Sequence, residues 1–250
     1  MGEERITSRQ NPLLRHVKKL LASHAYRNEC GEYVGDGTKL LAEAARWDAG
    51  LRVVIAADGV TLCPLPPEAR LVRVPPDVMD SVSQMQTPQG ALFVCAMPPK
   101  RPLELQGGCL ILDGIQDPGN LGTILRTADA LEIPVVLLEG CADPYGPKAV
   151  RATMGAIFRA PPQRASRAEL VAQCRQKGIP LVAAALTPTA LDLRHVPLAD
   201  AAVVIGSEGR GICPELLDQA DQTIIIPMNP RCESLNAATA AAIVLWQMKR

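Results

Sequence analysis

The sequence predicts an α/β protein built on a mostly parallel sheet. Short apolar runs recur at 109–112, 135–138, 181–185, 202–205 and 223–226, and segments with helical spacing at 120–131, 167–177 and 235–248 alternate with them. An apolar run of this length reads as a strand buried on both faces, and strands alternating with helices argue a parallel sheet covered by helices. The composition agrees. Of 250 residues, 48% are hydrophobic and 21% charged, a globular balance that argues against disorder.

Taken in order, the first element is a helix. Asn11 stands at a cap position with Pro12 after it, and Leu13, Leu14, Val17, Leu20 and Leu21 then share one face. Residues 38–47 read as a second helix, and 53–57, 71–74 and 91–95 as strands. The stretch with Pro98, Pro99, Lys100, Arg101 and Pro102 reads as a linker over 98–106, dividing an N-terminal domain (1–97) from a C-terminal one (107–250). The alternating strands and helices all fall in the second domain. Ligands of such sheets bind at the carboxyl ends of strands, so chemistry is sought in the loops after 112, 205 and 226.

Charge and composition exclude several classes. Lys plus Arg and Asp plus Glu are both 26, so any contact with nucleic acid needs a local basic surface. Residues 5–28 carry Arg5, Arg9, Arg15, Lys18, Lys19 and Arg27 without an acid, and 144–168 carry Lys148, Arg151, Arg159, Arg164 and Arg167 without one. The first stretch has three readings: a solvated helix surface, a phosphate-facing surface, or a transit peptide, the last weakened by Glu3 and Glu4. Aromatics are 3%, which argues against base-stacking platforms. The eight cysteines form no CxxC and the three histidines no HExxH, so no zinc motif is present. Scattered cysteines, no signal-peptide core and no apolar run of about 18 residues together predict a cytoplasmic protein with reduced thiols.

Three loops stand out. Residues 113–122 (DGIQDPGNLG) follow a strand and enter a helix with Leu121, Ile124, Leu125, Ala128 and Leu131 on its core face. Asn120 stands where a cap belongs; Arg126 falls off the apolar face and reads on its own as a solvated surface residue. Residues 206–211 (GSEGRG) place three glycines in the order GxxGxG, letting backbone approach a ligand closely. Neither GxGxxG nor GxxxxGK[ST] occurs, which removes the main signal for a nicotinamide or nucleoside-triphosphate enzyme. Residues 226–236 (IPMNPRCESLN) lead into an Ala-rich helix, where Ser234 and Asn236 read as caps. The small residues of that helix suit close packing within the domain and across a dimer equally.

These loops resemble the SpoU/TrmH group of SPOUT RNA methyltransferases. The matching stretches are 118–130 (PGNLGTILRTADA), 205–212 (IGSEGRGI) and 225–240 (IIPMNPRCESLNAATA), with 147–158 (PKAVRATMGAIF) a fourth. Tyr33–Gly37 and Thr87–Gly90 look like further landmarks, so the resemblance spans nearly the whole chain. It implies a C-terminal domain with a deep trefoil knot, an N-terminal ribosomal-protein-like RNA-binding domain, S-adenosylmethionine as cofactor, and a homodimer joined through the C-terminal domain. The implied activity is methylation of a ribose 2'-hydroxyl, in ribosomal RNA ahead of transfer RNA, with no metal and no membrane. A non-catalytic RNA-binding relative is the alternative within the family. A nucleotide- or flavin-binding α/β protein is the alternative outside it, and the missing glycine motifs argue against that.

Residue by residue, Asn120 and Arg126 match the first motif, Glu208 the second, and Ser234 with Asn236 the third. Gly206, Ile226 and Leu235 match positions whose backbones hold the cofactor, with Met228 assigned to the same site. Arg9, Arg15, Lys18, Lys19, Lys148 and Arg151 are the implied RNA contacts. The chain departs from the family pattern at Asp36, Gly146 and Ala238. The implied reaction is a one-step displacement, in which the 2'-oxygen must lose its proton as the new bond forms. Arg126 is either the proton acceptor or a fixed charge beside the developing alkoxide. Both roles make Arg126→Lys a non-conservative change.

Overall fold

The computed structural model describes residues 4–229, 231–232 and 234–250. The chain divides into two compact units, Met1–Pro99 with Tyr145–Arg159, and Lys100–Pro144 with Ala160–Arg250. In chain order the first unit contains β1 (Glu4–Arg5), α1 (Pro12–Ala22), α2 (His24–Cys30), β2 (Glu32–Asp36), α3 (Thr38–Arg46), β3 (Leu51–Ala57), β4 (Arg70–Val74), α4 (Pro76–Asp80) and β5 (Ala91–Ala96). Its sheet runs β1-β4-β3-β5-β2, parallel from β1 to β3 and antiparallel on either side of β5.

Helix α1 forms as its pattern requires. The Asn11 side chain accepts the Leu13 amide, Pro12 occupies the first turn, and Leu14, Val17, Leu20 and Leu21 are buried. They join a core with Val34, Ile55, Val72, Leu92 and Val94 from the sheet. Strand β2 is short and contains Gly35, where a Cβ would fall within 2.1 Å of the Phe93 ring. That glycine is a packing requirement, and it also hides the strand from a search for β-branched runs.

The second unit begins with β6 (Cys109–Asp113), α5 (Pro118–Ala130) and β7 (Val135–Leu137). Next come α6 (Pro147–Ala152) and α7 (Ala156–Arg159), which belong to the first unit. There Tyr33 meets Tyr145 and Phe158 at ring-centroid distances of 4.9 and 6.5 Å. The second unit resumes with β8 (Gln163–Arg164), α8 (Arg167–Lys177), β9 (Leu181–Ala184), β10 (Leu191–Asp192), β11 (Ala202–Gly206), α9 (Pro214–Leu217), β12 (Gln222–Ile225) and α10 (Ala237–Met248).

The second sheet runs β10-β12-β9-β11-β6-β7-β8, and each of these pairings is parallel. Its central strands β6 and β11 are buried almost throughout, which is why they read as unbroken apolar runs. Parallel pairing sends the chain out of both strands at the same edge, so the loops after β6 and β11 are neighbours. Helix α8 starts with a capping box, Ser166 and Glu169, and ends at Gly178 in the left-handed region. Helix α10 packs along α5, with Ala237, Ala238 and Ala241 buried. The Ala-rich sequence thus serves packing within this unit.

Two local expectations change. Helix α5 starts at Pro118, because Asp117 rather than Asn120 is its cap. Asn236 rather than Ser234 caps α10, its side chain accepting the amides of Ala238 and Thr239. The Pro-rich stretch read as a linker is anchored too: Leu103 and Leu105 enter the core of the second unit, and Lys177 Nζ donates to the Leu105 carbonyl at 2.7 Å. Among the described residues, no helix is long and apolar enough to cross a membrane.

Candidate active site

The carboxyl edge of the second sheet gathers the three loops. In the first, Asp117 accepts the Asn120 amide at 2.8 Å, which settles the helix end without the Asn120 side chain. That side chain is released to act elsewhere. Two turns of α5 then bury Leu121, Ile124 and Leu125 and turn Arg126 out to solvent. Among the described residues no ion pair holds the Arg126 guanidinium.

The second loop is a tight hairpin. Ser207 and Gly211 exchange two backbone hydrogen bonds of 3.0 and 2.9 Å, and Ser207 Oγ accepts the Arg210 amide at 3.1 Å. A Cβ on Gly206 would lie 2.2 Å from the Gly211 carbonyl carbon, so only glycine closes the base of this hairpin. Glu208 sits exposed at the tip. In the third loop Ser234 is exposed, and Asn236 spends its Oδ1 on the cap while its Nδ2 is left to donate. Pro230 and Glu233 of the third motif lie outside the described residues.

One chain of hydrogen bonds joins the three loops. Asn120 Nδ2 donates to Glu208 Oε1 at 2.6 Å, and Asn236 Nδ2 donates to Asn120 Oδ1 at 3.1 Å. The partners lie 88 and 116 positions apart in sequence. The order of donors is fixed: Glu208 accepts, Asn120 relays, and Asn236 has its Oδ1 committed to the helix. Arg126 and Ser234 are not links of this chain.

Beside it, glycines bring backbones together. Gly114 and Gly140 have φ of 74° and 82°, a region L side chains avoid. A Cβ on Gly140 would meet Gly114 Cα at 3.4 Å, and one on Gly114 would meet Ser207 Cβ at 3.7 Å. The loops after β6, β7 and β11 therefore meet over little side-chain bulk. Gly206, Ile226, Met228 and Leu235 are all half-buried along this edge. Burial pushes the Cys141 thiol up, and its Sγ donates to the Leu112 carbonyl at 3.2 Å; this cysteine is a neutral donor and no thiolate nucleophile.

In the sequence Asp113 carries no motif, and Arg167 reads only as one charge in a basic stretch. Asp113 is 2% exposed and bonded to the Arg167 guanidinium at 2.6 Å. The signal for Asp113 is a carboxylate closing an apolar run immediately before Gly114. The other basic residues divide. Arg5 pairs with Asp58, Arg9 with Asp77, Arg159 with Glu43 and Arg164 with Asp143. Arg27 is buried and donates to the Leu20 carbonyl. Arg15 is exposed, Lys18 half-buried, and Lys19 lies 5.4 Å from the Tyr26 ring centroid; Lys148 and Arg151 are exposed on α6. Among the described residues no group of three or more His, Cys, Asp or Glu side chains could hold a metal ion.

Similarities to known proteins bear on this edge. A family model described as the SpoU rRNA Methylase family matches residues 108–246, which include every loop described above. The 23S rRNA (guanosine(2553)-2'-O)-methyltransferase RlmP of Bacillus subtilis is 29% identical over 98% of this chain and 99% of its own. The human mitochondrial rRNA methyltransferase 3 is 30% identical over 100% of this chain and 73% of its own. The solved structure of an AdoMet-bound rRNA methyltransferase from Sinorhizobium meliloti superposes with a TM-score of 0.86 at 27% identity, covering 98% of this chain and 97% of that one. With more than half of its length matched by the family model, the chain belongs to the SpoU rRNA methylase family.

Proposed function

We propose that the chain methylates a ribose 2'-hydroxyl of ribosomal RNA at the carboxyl edge of its seven-stranded sheet, using S-adenosylmethionine. The observation that carries this reading is the hydrogen-bonded chain Glu208–Asn120–Asn236, which ties three separate loops into one polar site. The cofactor, when bound, supplies a methyl group on a sulfonium. The residues present suit it. The half-buried backbones of Gly206, Ile226, Met228 and Leu235 offer amides and carbonyls to an adenosine, the glycines leave room, and Glu208 supplies a carboxylate for a cationic ligand.

Arg126 carries the other half of the task. A guanidinium keeps its proton in almost every setting, so Arg126 acts by charge, stabilising the oxyanion that develops on the 2'-oxygen, while the hydroxyl proton passes to solvent water at this exposed edge and S-adenosylhomocysteine leaves. Its exposure leaves it open to an incoming ribose. Asn120, held from both sides, cannot rotate freely and fixes Glu208; Ser234, exposed in the third loop, supplies a hydroxyl to orient the ribose. Holding nucleophile and methyl in line removes much of the entropy from the barrier. Selectivity for RNA follows from the reacting group, which DNA lacks.

The remaining readings rest on the family. The second unit is taken as a deep trefoil knot, and residues 1–97 as a ribosomal-protein-like domain that binds RNA through Arg9, Arg15, Lys18 and Lys19, assisted by Lys148 and Arg151. By sequence, 98–106 is taken as the link and 107–250 as the methyltransferase domain, although Leu103 and Leu105 join the second core and Tyr145–Arg159 the first unit. The enzyme works in the cytoplasm as a homodimer. Support for the dimer comes from α10, whose outer face shows Ile243 at 37% and Trp246 at 64% exposure. Trp246→Glu is expected to yield a monomer in sedimentation, and a dimer that survives it would move the interface elsewhere.

Ribosomal RNA is preferred over transfer RNA because the Bacillus subtilis relative, aligned over nearly the whole of both chains, is named for a 23S rRNA site. The test is transfer of labelled methyl groups to ribosomal and transfer RNA from cells lacking this enzyme, followed by alkaline digestion. A methylated 2'-oxygen cannot attack the neighbouring phosphate, so the label is expected in alkali-resistant dinucleotides of ribosomal RNA. Label in mononucleotides would mean a base is methylated and would refute the reading. Label in transfer RNA alone would select the transfer-RNA alternative.

A further inference from the structure

We propose that Asp113 and Arg167 are positioning residues of the transfer site, clamping the Glu208 hairpin and the loop behind β7 to the end of β6. The role in transfer rests on the functional reading above; the clamp itself rests on geometry. Asp113 closes β6 and is buried with both carboxylate oxygens engaged. Oδ1 accepts Arg167 Nε at 3.0 Å and Nη2 at 2.6 Å. Oδ2 accepts the backbone N–H of Cys213 at 2.7 Å.

Cys213 lies two residues past the end of the Glu208 hairpin, at the N-cap position of α9, where its side chain makes no cap hydrogen bond. The hairpin has little slack, because Gly206 and Gly211 are already at the contact limit. A bond at Cys213 therefore fixes the base of the hairpin and, through it, the carboxylate at its tip. Arg167 extends the clamp. Its Nη1 lies 3.3 Å from Glu139 Oε2, and its backbone N–H donates to Glu139 Oε1 at 3.4 Å. Glu139 directly precedes Gly140, where an added Cβ would lie 3.4 Å from Gly114 Cα.

A buried ion pair is poor evidence for stability, since apolar residues of similar volume often do as well. Its use here is directional. A forked guanidinium on one oxygen and a backbone amide on the other admit one arrangement of the three loop ends. Asp113→Asn is the sharpest probe. An amide of the same shape has one acceptor oxygen, and its NH2 must face either the Arg167 guanidinium or the Cys213 N–H, donor against donor.

The test compares wild type with Asp113→Asn and Arg167→Lys by amide hydrogen exchange of 206–213, read against strands β6 and β11, and by affinity for S-adenosylhomocysteine and for RNA. Exchange in 206–213 is expected to rise about tenfold relative to the strands, as for a locally opened segment. S-adenosylhomocysteine is expected to bind about tenfold more weakly, as when a supporting partner of a site is removed, while RNA affinity holds. Unchanged exchange and unchanged ligand affinity in a folded variant would overturn the proposal. Should Asp113→Asn fail to fold, Arg167→Lys decides, since Arg167 is 33% exposed and its charge is kept. Should wild type bind no S-adenosylhomocysteine, the functional reading fails while hydrogen exchange still decides the clamp.

Discussion

The loop edge of the seven-stranded sheet and the basic stretches at 5–28 and 144–168 both read from sequence as places of contact, and folding treats them in opposite ways. At the loop edge, residues far apart in the chain converge: Asn120, Glu208 and Asn236 share two hydrogen bonds. In the basic stretches, acids from other segments arrive and occupy part of the cations. Asp58 takes Arg5, Asp77 takes Arg9, Glu43 takes Arg159 and Asp113 takes Arg167. A loop between a parallel strand and a helix has its direction set by topology. A run of like charges has none, and its surface field depends on what packs beside it.

Loss of the Arg126 guanidinium is the most damaging change. Arg126→Ala is expected to lower kcat by about 100- to 1,000-fold, the usual cost of removing one group that stabilises a developing oxyanion. Because Arg126 is exposed and lies outside the polar chain, Tm and affinity for S-adenosylhomocysteine should stay as in wild type. Arg126→Lys should recover little of the loss. An unchanged kcat in Arg126→Ala would place the chemistry elsewhere.

Next in size is the polar chain itself. Asn120→Ala removes both of its bonds at once, and a fall in kcat of about 10- to 100-fold is expected from a misplacement of this kind. Residues in one network do not add, so Asn120→Ala combined with Asn236→Ala should cost much less than the product of the two single losses. Additive losses would mean that the two asparagines act separately.

Charge reversal separates the lysines of α1 from the acid-paired Arg9. Lys18→Glu with Lys19→Glu should weaken RNA binding and flatten its salt dependence, by about 0.7–0.9 in slope for every phosphate left without its lysine. Arg9→Glu should do less than either change, because Asp77 already holds that guanidinium at 2.7 Å. Equal effects at Arg9 and at the lysine pair would show that RNA displaces the internal partner.

The smallest effect concerns thiols. Burial pushes Cys95 and Cys109 up to about 12, whereas Cys30 and Cys232 are exposed. The thiolate form of the buried pair is then absent at mildly alkaline pH. Alkylation at about pH 8 should label Cys30 and Cys232 first and leave Cys95 and Cys109 intact until the protein unfolds. Early labelling of Cys109 would mean that β6, which carries Asp113, opens readily.

How legible each feature is in the sequence follows from the same contrast. The central strands stand out because burial on both faces leaves nothing but apolar residues, as in Cys109–Leu112 and Ala202–Ile205. Strand β2 escapes a pattern search because Gly35 interrupts it for the sake of the Phe93 ring. The two-residue strands β1, β8 and β10 are too short to carry a period. Within the site, Asn120 is legible as a residue but its partner is not, since Asp117 and Asn120 both suit a cap and only the fold shows which one is used. Asp113 is easily overlooked because its meaning lies in Cys213 and Arg167, residues whose approach depends on several crossings of the sheet. Arg27 counts as a surface charge in the sequence and is buried in the fold, because a carbonyl near the end of α1 accepts from it.

The most direct measurement is calorimetric titration of the protein with S-adenosylhomocysteine, the product of methyl transfer. Saturable binding in the micromolar range is expected, abolished or strongly weakened when Gly206→Ala forces the hairpin apart and retained in Arg126→Ala. No binding at millimolar ligand, or binding indifferent to Gly206→Ala, would contradict a cofactor site on the carboxyl edge of this sheet.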